Sequence, residues 1–104
     1  MSAIVTDNTD ARRYEIFLDD EFAGFAEYRR QPGIIAFVDT QIDPAFEGRE
    51  LGGELVSRVL DEIAEHGLDV LPFCPIVNEY VDDHPHYLRL VPPDMRDKFG
   101  LTVD

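Results

Sequence analysis

The stretch Glu47-Gly48-Arg49-Glu50-Leu51-Gly52-Gly53 is where residue types and spacing first suggest chemistry in this chain. Its glycines precede and enter the longest amphipathic helical pattern of the sequence. The first amides of a helix have no intrahelical acceptor and lie at the positive end of the helix dipole. A glycine-bearing loop that opens a helix therefore suits a phosphate group. Further along stand one cysteine, Cys74, and two histidines, His84 and His86, that flank Pro85 in an acidic segment. A single cysteine excludes an internal disulfide and any multi-cysteine metal site. The two histidines with Asp82 or Asp83 would offer metal ligands. Their spacing, interrupted by proline, fits capping and surface roles better, and no metal is assigned.

These residues need elements to position them. Arg13 to Leu18 reads as a strand, and Asp19-Asp20-Glu21 as a turn. Phe22 to Arg30 alternates, which puts Phe22, Gly24, Ala26 and Tyr28 on one face and Ala23, Phe25 and Glu27 on the other. Gln31-Pro32-Gly33 is a second turn, and Ile34 to Ile42, rich in β-branched and aromatic residues, a third strand. Asp43-Pro44 fits a cap followed by proline at a first helical position, with a short helical turn over Pro44 to Phe46. The main helix runs from Gly48 or Arg49 to His66. Leu51, Leu55, Val59 and Ile63 form its apolar stripe, widened by Val56 and Leu60, and Gly67 provides a left-handed stop. Leu68 to Phe73 is a short strand that should run parallel to the third, because a helix separates them. Pro75 starts a helix over Ile76 to Asp82, and Pro92-Pro93-Asp94 opens a last short helical turn. The expected fold is α/β (α+β): a three-stranded antiparallel meander, then a βαβ crossover to a parallel fourth strand. Residues 1–11 are expected to be a flexible arm and residues 12–104 a single domain.

The chain has 104 residues and 44% hydrophobic content, enough for one small core. Its 22 acidic residues against 9 basic ones give a formal net charge of -13. That balance argues against nucleic acid as a partner, since a polyanion would be repelled. No apolar run approaches the roughly 20 residues that span a bilayer. The first residues lack a basic segment followed by an apolar one, so no signal peptide is expected and the expected location is cytoplasmic. The expected assembly is a monomer or weak homodimer.

The order of these pieces resembles the GCN5-related N-acetyltransferase superfamily, and most of all its smallest members, the YjdJ-type acetyltransferase-like domains. The residues that carry the resemblance are Ala23-Gly24-Phe25-Ala26-Glu27-Tyr28, the loop Glu47 to Gly53, and Leu71-Pro72-Phe73-Cys74-Pro75 followed by His84-Pro85-His86-Tyr87. The resemblance implies an acetyl-CoA-binding protein that transfers acetyl to a small or protein amine. The superfamily's loop pattern, Q/R-x-x-G-x-G/A, falls on Glu47 to Gly52, which makes Gly48, Arg49, Glu50, Leu51, Gly52 and Gly53 the implied diphosphate site. Glu47 and Glu50 depart from the pattern. Two like charges about 4 Å apart repel by roughly 4 kcal/mol at an effective dielectric of about 20. Arg49 and Arg58 would partly offset them. Alternatively Glu50 is an ordinary first-turn acid that weakens cofactor binding.

The same resemblance implies roles for three more residues. Asp39, in Asp39-Thr40, stands where the small subfamily has a His-Thr pair and would be a general base. Cys74 stands beside the acetyl group's place, where a thiolate would accept acetyl; with Phe73 it would also line the cofactor's arm. Tyr80 would protonate the departing CoA thiolate. Each has a plainer reading: a solvent-facing strand residue, a small buried hydrophobe, and a helix tyrosine packed on the sheet. The alternative for the whole chain is a binding or interaction module that retains the fold without the chemistry.

Overall fold

The computed structural model describes residues 3–46 and 51–101. Five strands form one sheet in the order β1-β2-β3-β4-β5: β1 (Ala3–Asn8), β2 (Arg13–Leu18), β3 (Glu21–Gln31), β4 (Ile34–Ile42) and β5 (Asp69–Pro72). The first four are antiparallel neighbours, and β5 runs parallel to β4. The fold is α+β with a mixed sheet, as the sequence pattern implies. The main helix α1 (Leu51–Glu65) supplies the crossover, and α2 (Pro75–Asp83) follows β5. Short 3₁₀ turns cover Pro44–Phe46, Pro85–Leu90 and Pro93–Met95.

Local chemistry accounts for these boundaries. Asp19 and Asp20 both take positive φ, 49° and 70°, so the β2–β3 hairpin closes in a two-residue turn whose twist matches the strands. Gly67, at φ 71°, ends α1: its own N–H reaches Ala64 O and the Leu68 N–H reaches back to Ile63 O. That pair of bonds satisfies carbonyls the last turn would otherwise leave open. On α1, Leu51, Leu55, Val56, Val59, Leu60 and Ile63 are all buried, and they cover Ile16, Ile35, Phe37 and Val70 of the sheet.

Two β-bulges change what the alternation predicts. Ile16 pairs with Gly24 and Phe17 with Phe22, so Ala23 is the extra residue. The bulge turns Phe22 away from the face of Gly24, Ala26 and Tyr28, where simple alternation puts it, and leaves it exposed against Phe17 at 5.7 Å. Ala23, expected on the face opposite Ala26 and Tyr28, is buried as they are. In β4, Phe37 pairs with Tyr28 and Asp39 with Glu27, so Val38 is extra. Below the bulge Phe37 faces the core; above it Thr40 does. Asp39 is therefore turned to the opposite, outer face, beside Glu27 and Gln41.

The N-terminal segment also differs from expectation. Ala3–Asn8, expected as part of a loose arm, is edge strand β1. It is held by the Arg58 guanidinium donating to Ala3 O at 2.7 Å and by the Tyr28 hydroxyl donating to Asp7 Oδ1 at 2.6 Å. None of its side chains is fully buried, so its apolar signal is weak; its order comes from the ladder to β2 and from those two bonds to distant residues. No helix among the described residues is long and apolar enough to cross a membrane.

Candidate active site

The point of interest is where β4 and β5 separate. Their pairing runs from Ile34–Asp69 to Phe37–Pro72 and goes no further as a ladder. One more bond, Cys74 N–H to Phe37 O at 2.8 Å, closes the junction. Beyond it β4 continues to Ile42 while the other chain turns into α2 at Pro75. Proline cannot donate to a ladder, so extension of β5 stops there. The result is a parted pair of strands whose first residues past the junction, Val38 and Phe73, both expose their side chains. Ile76, in the first turn of α2, is exposed as well.

The first described residues of α1 lie close to this opening. Gly52 lies against Ile42: a Cβ added there would come 3.7 Å from Ile42 Cγ1. Gly53 faces the Tyr80 ring, with Cε2 3.6 Å from where its Cβ would be. A groove of about 1040 Å³ runs between α1 and α2, lined by Gly53, Glu54, Ser57 and Arg58 on one side and Glu79, Tyr80, Asp83 and His84 on the other. Acids outnumber bases in it, and its one arginine is engaged, donating to Glu54 Oε1 and Ala3 O at 2.7 Å each. Glu47, Gly48, Arg49 and Glu50, the rest of the expected diphosphate loop, lie outside the described residues.

Cys74 and Thr40 meet across the junction. Cys74 is 2% exposed and Thr40 6%, and the thiol donates to Thr40 Oγ1 at 3.1 Å. Tyr80, on α2, is half-buried. Its ring stacks on His84, with centroids 4.0 Å apart and planes at 17°, and tilts against Tyr87 at 5.8 Å. Tyr87 in turn donates to Asp61 Oδ1 at 2.8 Å, which ties the turn after α2 to α1. Burial raises the Tyr87 hydroxyl above its ordinary pKa, Asp61 adds to the rise, and the Ser57 contact opposes it.

A family described as GCN5-related N-acetyl-transferase matches residues 13–90, three quarters of the chain. The chain belongs to the GCN5-related N-acetyltransferase family. The sequence matches none of the curated proteins.

In this family member the residues singled out from the sequence fall on two sides of the sheet. Gly52, Gly53, Cys74 and Tyr80 lie on the helix side, Leu51 is buried beneath them in the core, and Phe73 stands at the opening. Asp39 is on the other face, half-buried, with its Oδ2 accepting from Gln41 Nε2 at 2.9 Å. The structure thus does not gather Asp39, Cys74 and Tyr80 into one pocket; it sets them on opposite sides of the parted strands. Among the described residues no group of three or more His, Cys, Asp or Glu is placed to hold a metal. His84 stacks on Tyr80, and His86 meets His84 edge-on and leans on Tyr87 at a tilt.

The sequence pattern assigns no site role to Thr40 or Gly24, and to His84 only a capping or surface one. A Cβ on Gly24 would stand 2.5 Å from Gln41 O and 2.6 Å from Ile42 Cδ1, so only glycine lets β3 approach β4 there. The i, i+4 spacing of Tyr80 and His84 on a helix was the signal for their contact.

Proposed function

We propose that this protein binds acetyl-CoA between β4 and β5 and transfers the acetyl group to an amine. The observation that carries the reading is the parting of β4 from β5 beside the glycines of α1. The chain's own features fit such a ligand part by part. Amides of Gly52 and Gly53, at the positive end of α1, suit a diphosphate. The edge of β4 past Phe37 has backbone groups without a β5 partner, which suits an amide-bearing arm. The exposed Val38 and Phe73 offer that arm apolar contact.

Acetyl-CoA would supply an activated acyl group as a thioester. Tyr80, facing the groove, would give its proton to the leaving sulfur. Asp39, on the outer face, would take the proton of an incoming amine, directly or through water. A ligand passing through the opening would have its leaving group on the helix side and its carbonyl within reach from the outer side, which is why the two groups are useful apart. Cys74 we read as a packing residue. Its burial and its bond to Thr40 favour direct transfer over acetylation of the thiol. The net charge of -13 favours a cationic acceptor, such as a polyamine or a lysine side chain.

Calorimetric titration with acetyl-CoA and CoA tests the binding step, and thiol release over a panel of amines tests the transfer. Saturable one-to-one binding with release that depends on the amine is expected. Absence of heat at millimolar ligand would refute the reading.

A further inference from the structure

We propose that His84 is a positioning residue that fixes the Tyr80 ring in the groove, by stacking on one face of it while Gly53 leaves room on another side. The inference rests on the reading of Tyr80 as the proton donor. Three contacts of different kind converge on it. His84 caps α2, and its backbone N–H donates to Tyr80 O at 3.0 Å. Its side chain returns to the same carbonyl, Nδ1 to O, at 2.9 Å. Its ring then lies nearly parallel to Tyr80's at 4.0 Å. A carbonyl can only accept, so Nδ1 carries a proton and the imidazole plane is held by that bond.

A surface histidine at a helix end ordinarily keeps its rotamers free. Here the ring is held on both sides, by its bond to the backbone and by the stack. Pro85 follows, and its fixed φ with the loss of an amide ends the helix at His84. Beyond it His86 leans on Tyr87 at 4.1 Å, and Tyr87 is anchored to Asp61 of α1. The row of rings is thus braced on the helix whose N-terminus begins the groove. Gly53 presents no side chain to the ring: a Cβ there would lie 3.6 Å from Tyr80 Cε2. Tyr80 consequently has little freedom to swing, and its hydroxyl is presented in one direction.

Proton transfer is sensitive to such fixing, because a misplacement near 1 Å can cost on the order of a hundredfold in rate. The test compares His84→Ala, His84→Phe and His84→Asn in the full chain. Tyrosine-labelled NMR reads the ring, with Tyr80→Phe assigning its resonance among the four tyrosines. Steady-state kinetics with acetyl-CoA and the best amine reads the consequence. His84→Ala should remove the ring-current shift of Tyr80 and lower kcat by about tenfold or more, with KM for acetyl-CoA nearly unchanged. His84→Phe, which retains a flat ring, should restore most of kcat; His84→Asn, which retains a hydrogen bond to Tyr80 O, should not. An unmoved Tyr80 resonance in His84→Ala would overturn the proposal. So would rescue by Asn and not by Phe, since that pattern means capping alone. If Tyr80→Phe itself leaves kcat untouched, Tyr80 is not the proton donor and the proposal falls with that reading. If Tyr80→Phe is impaired and His84→Ala is not, only the positioning role is lost.

Discussion

Replacing Cys74 by alanine separates two accounts of this site, because it should damage the fold and spare the chemistry. The thiol is 2% exposed and donates to Thr40 Oγ1 at 3.1 Å. Removing the sulfur opens a small cavity and ends that hydrogen bond. A buried methylene-sized deletion costs about 1 kcal/mol, and the loss of a weak donor adds some tenths, so a total of about 1–2 kcal/mol is expected. In a domain of this length that lowers Tm by roughly 4–16 °C. Cys74→Ser should lose less, since its hydroxyl can still donate to Thr40. Urea denaturation measures the stability, and kcat measured well below the variant's Tm measures the chemistry. Direct transfer predicts kcat within about threefold of the parent. Mass spectrometry of the enzyme quenched during turnover should show no acetyl on Cys74. The reasoning is refuted if a folded Cys74→Ala loses kcat by about a hundredfold or more and an acetyl thioester on Cys74 forms and decays at the turnover rate.

Three other outcomes can be measured, two from the geometry and one from the sequence. Gly24→Ala should destabilise by about 2–4 kcal/mol, as its Cβ meets backbone at 2.5 Å; a change below about 0.5 kcal/mol in urea denaturation would show that β3 and β4 can separate at no cost. If Glu47 to Gly53 is the diphosphate loop that the resemblance implies, Glu50→Gly should tighten CoA binding about tenfold in calorimetry by removing a like charge; equal or weaker binding would show that Glu50 is harmless or helpful. Stability should fall in alkali. Burial first, then the hydrogen bond and charge of Asp7, push the Tyr28 hydroxyl up to about 12, and burial with Glu62 raises Tyr14 in the same direction. The folded state therefore retains these protons where the unfolded chain loses them. Stability linked to Tyr28, of order 2 kcal/mol, is fully present below pH 10 and disappears as pH rises toward 12. Asp7→Asn should shrink that loss, and an unchanged urea midpoint from about pH 8 to pH 11 would contradict the assignment.

What could be read from the sequence was what local chemistry decides. The stripe of α1, the Gly67 stop, the Asp19-Asp20 turn, and the parallel fourth run forced by an intervening helix all stand in the structure. What could not be read depends on partners far along the chain. Alternation assumes an unbroken period of two, and the extra residues Ala23 and Val38 break it. Phe22 consequently leaves the face that simple counting gives it, whereas Asp39 stands on the outer face that its plainer reading implies. β1 was hidden because Thr6, Asp7 and Asn8 look like a polar arm; its anchors, Arg58 and Tyr28, come from α1 and β3. The site was legible in part. Gly53 and Tyr80 were singled out separately, yet their proximity depends on how α2 packs against α1. His84 was read as a capping residue, which it is; the i, i+4 spacing brings its side chain near Tyr80 but does not fix the rotamer that stacks the rings.

The central claim is that the opening between β4 and β5 holds the arm of CoA while α1 holds its diphosphate. An amide NMR titration with CoA tests this most directly. The account predicts the largest shifts at Gly52 and Gly53, along Val38 to Ile42, and at Phe73 and Cys74, with β1 and β2 little changed. Shifts confined to other surfaces, or none at millimolar CoA, would contradict it.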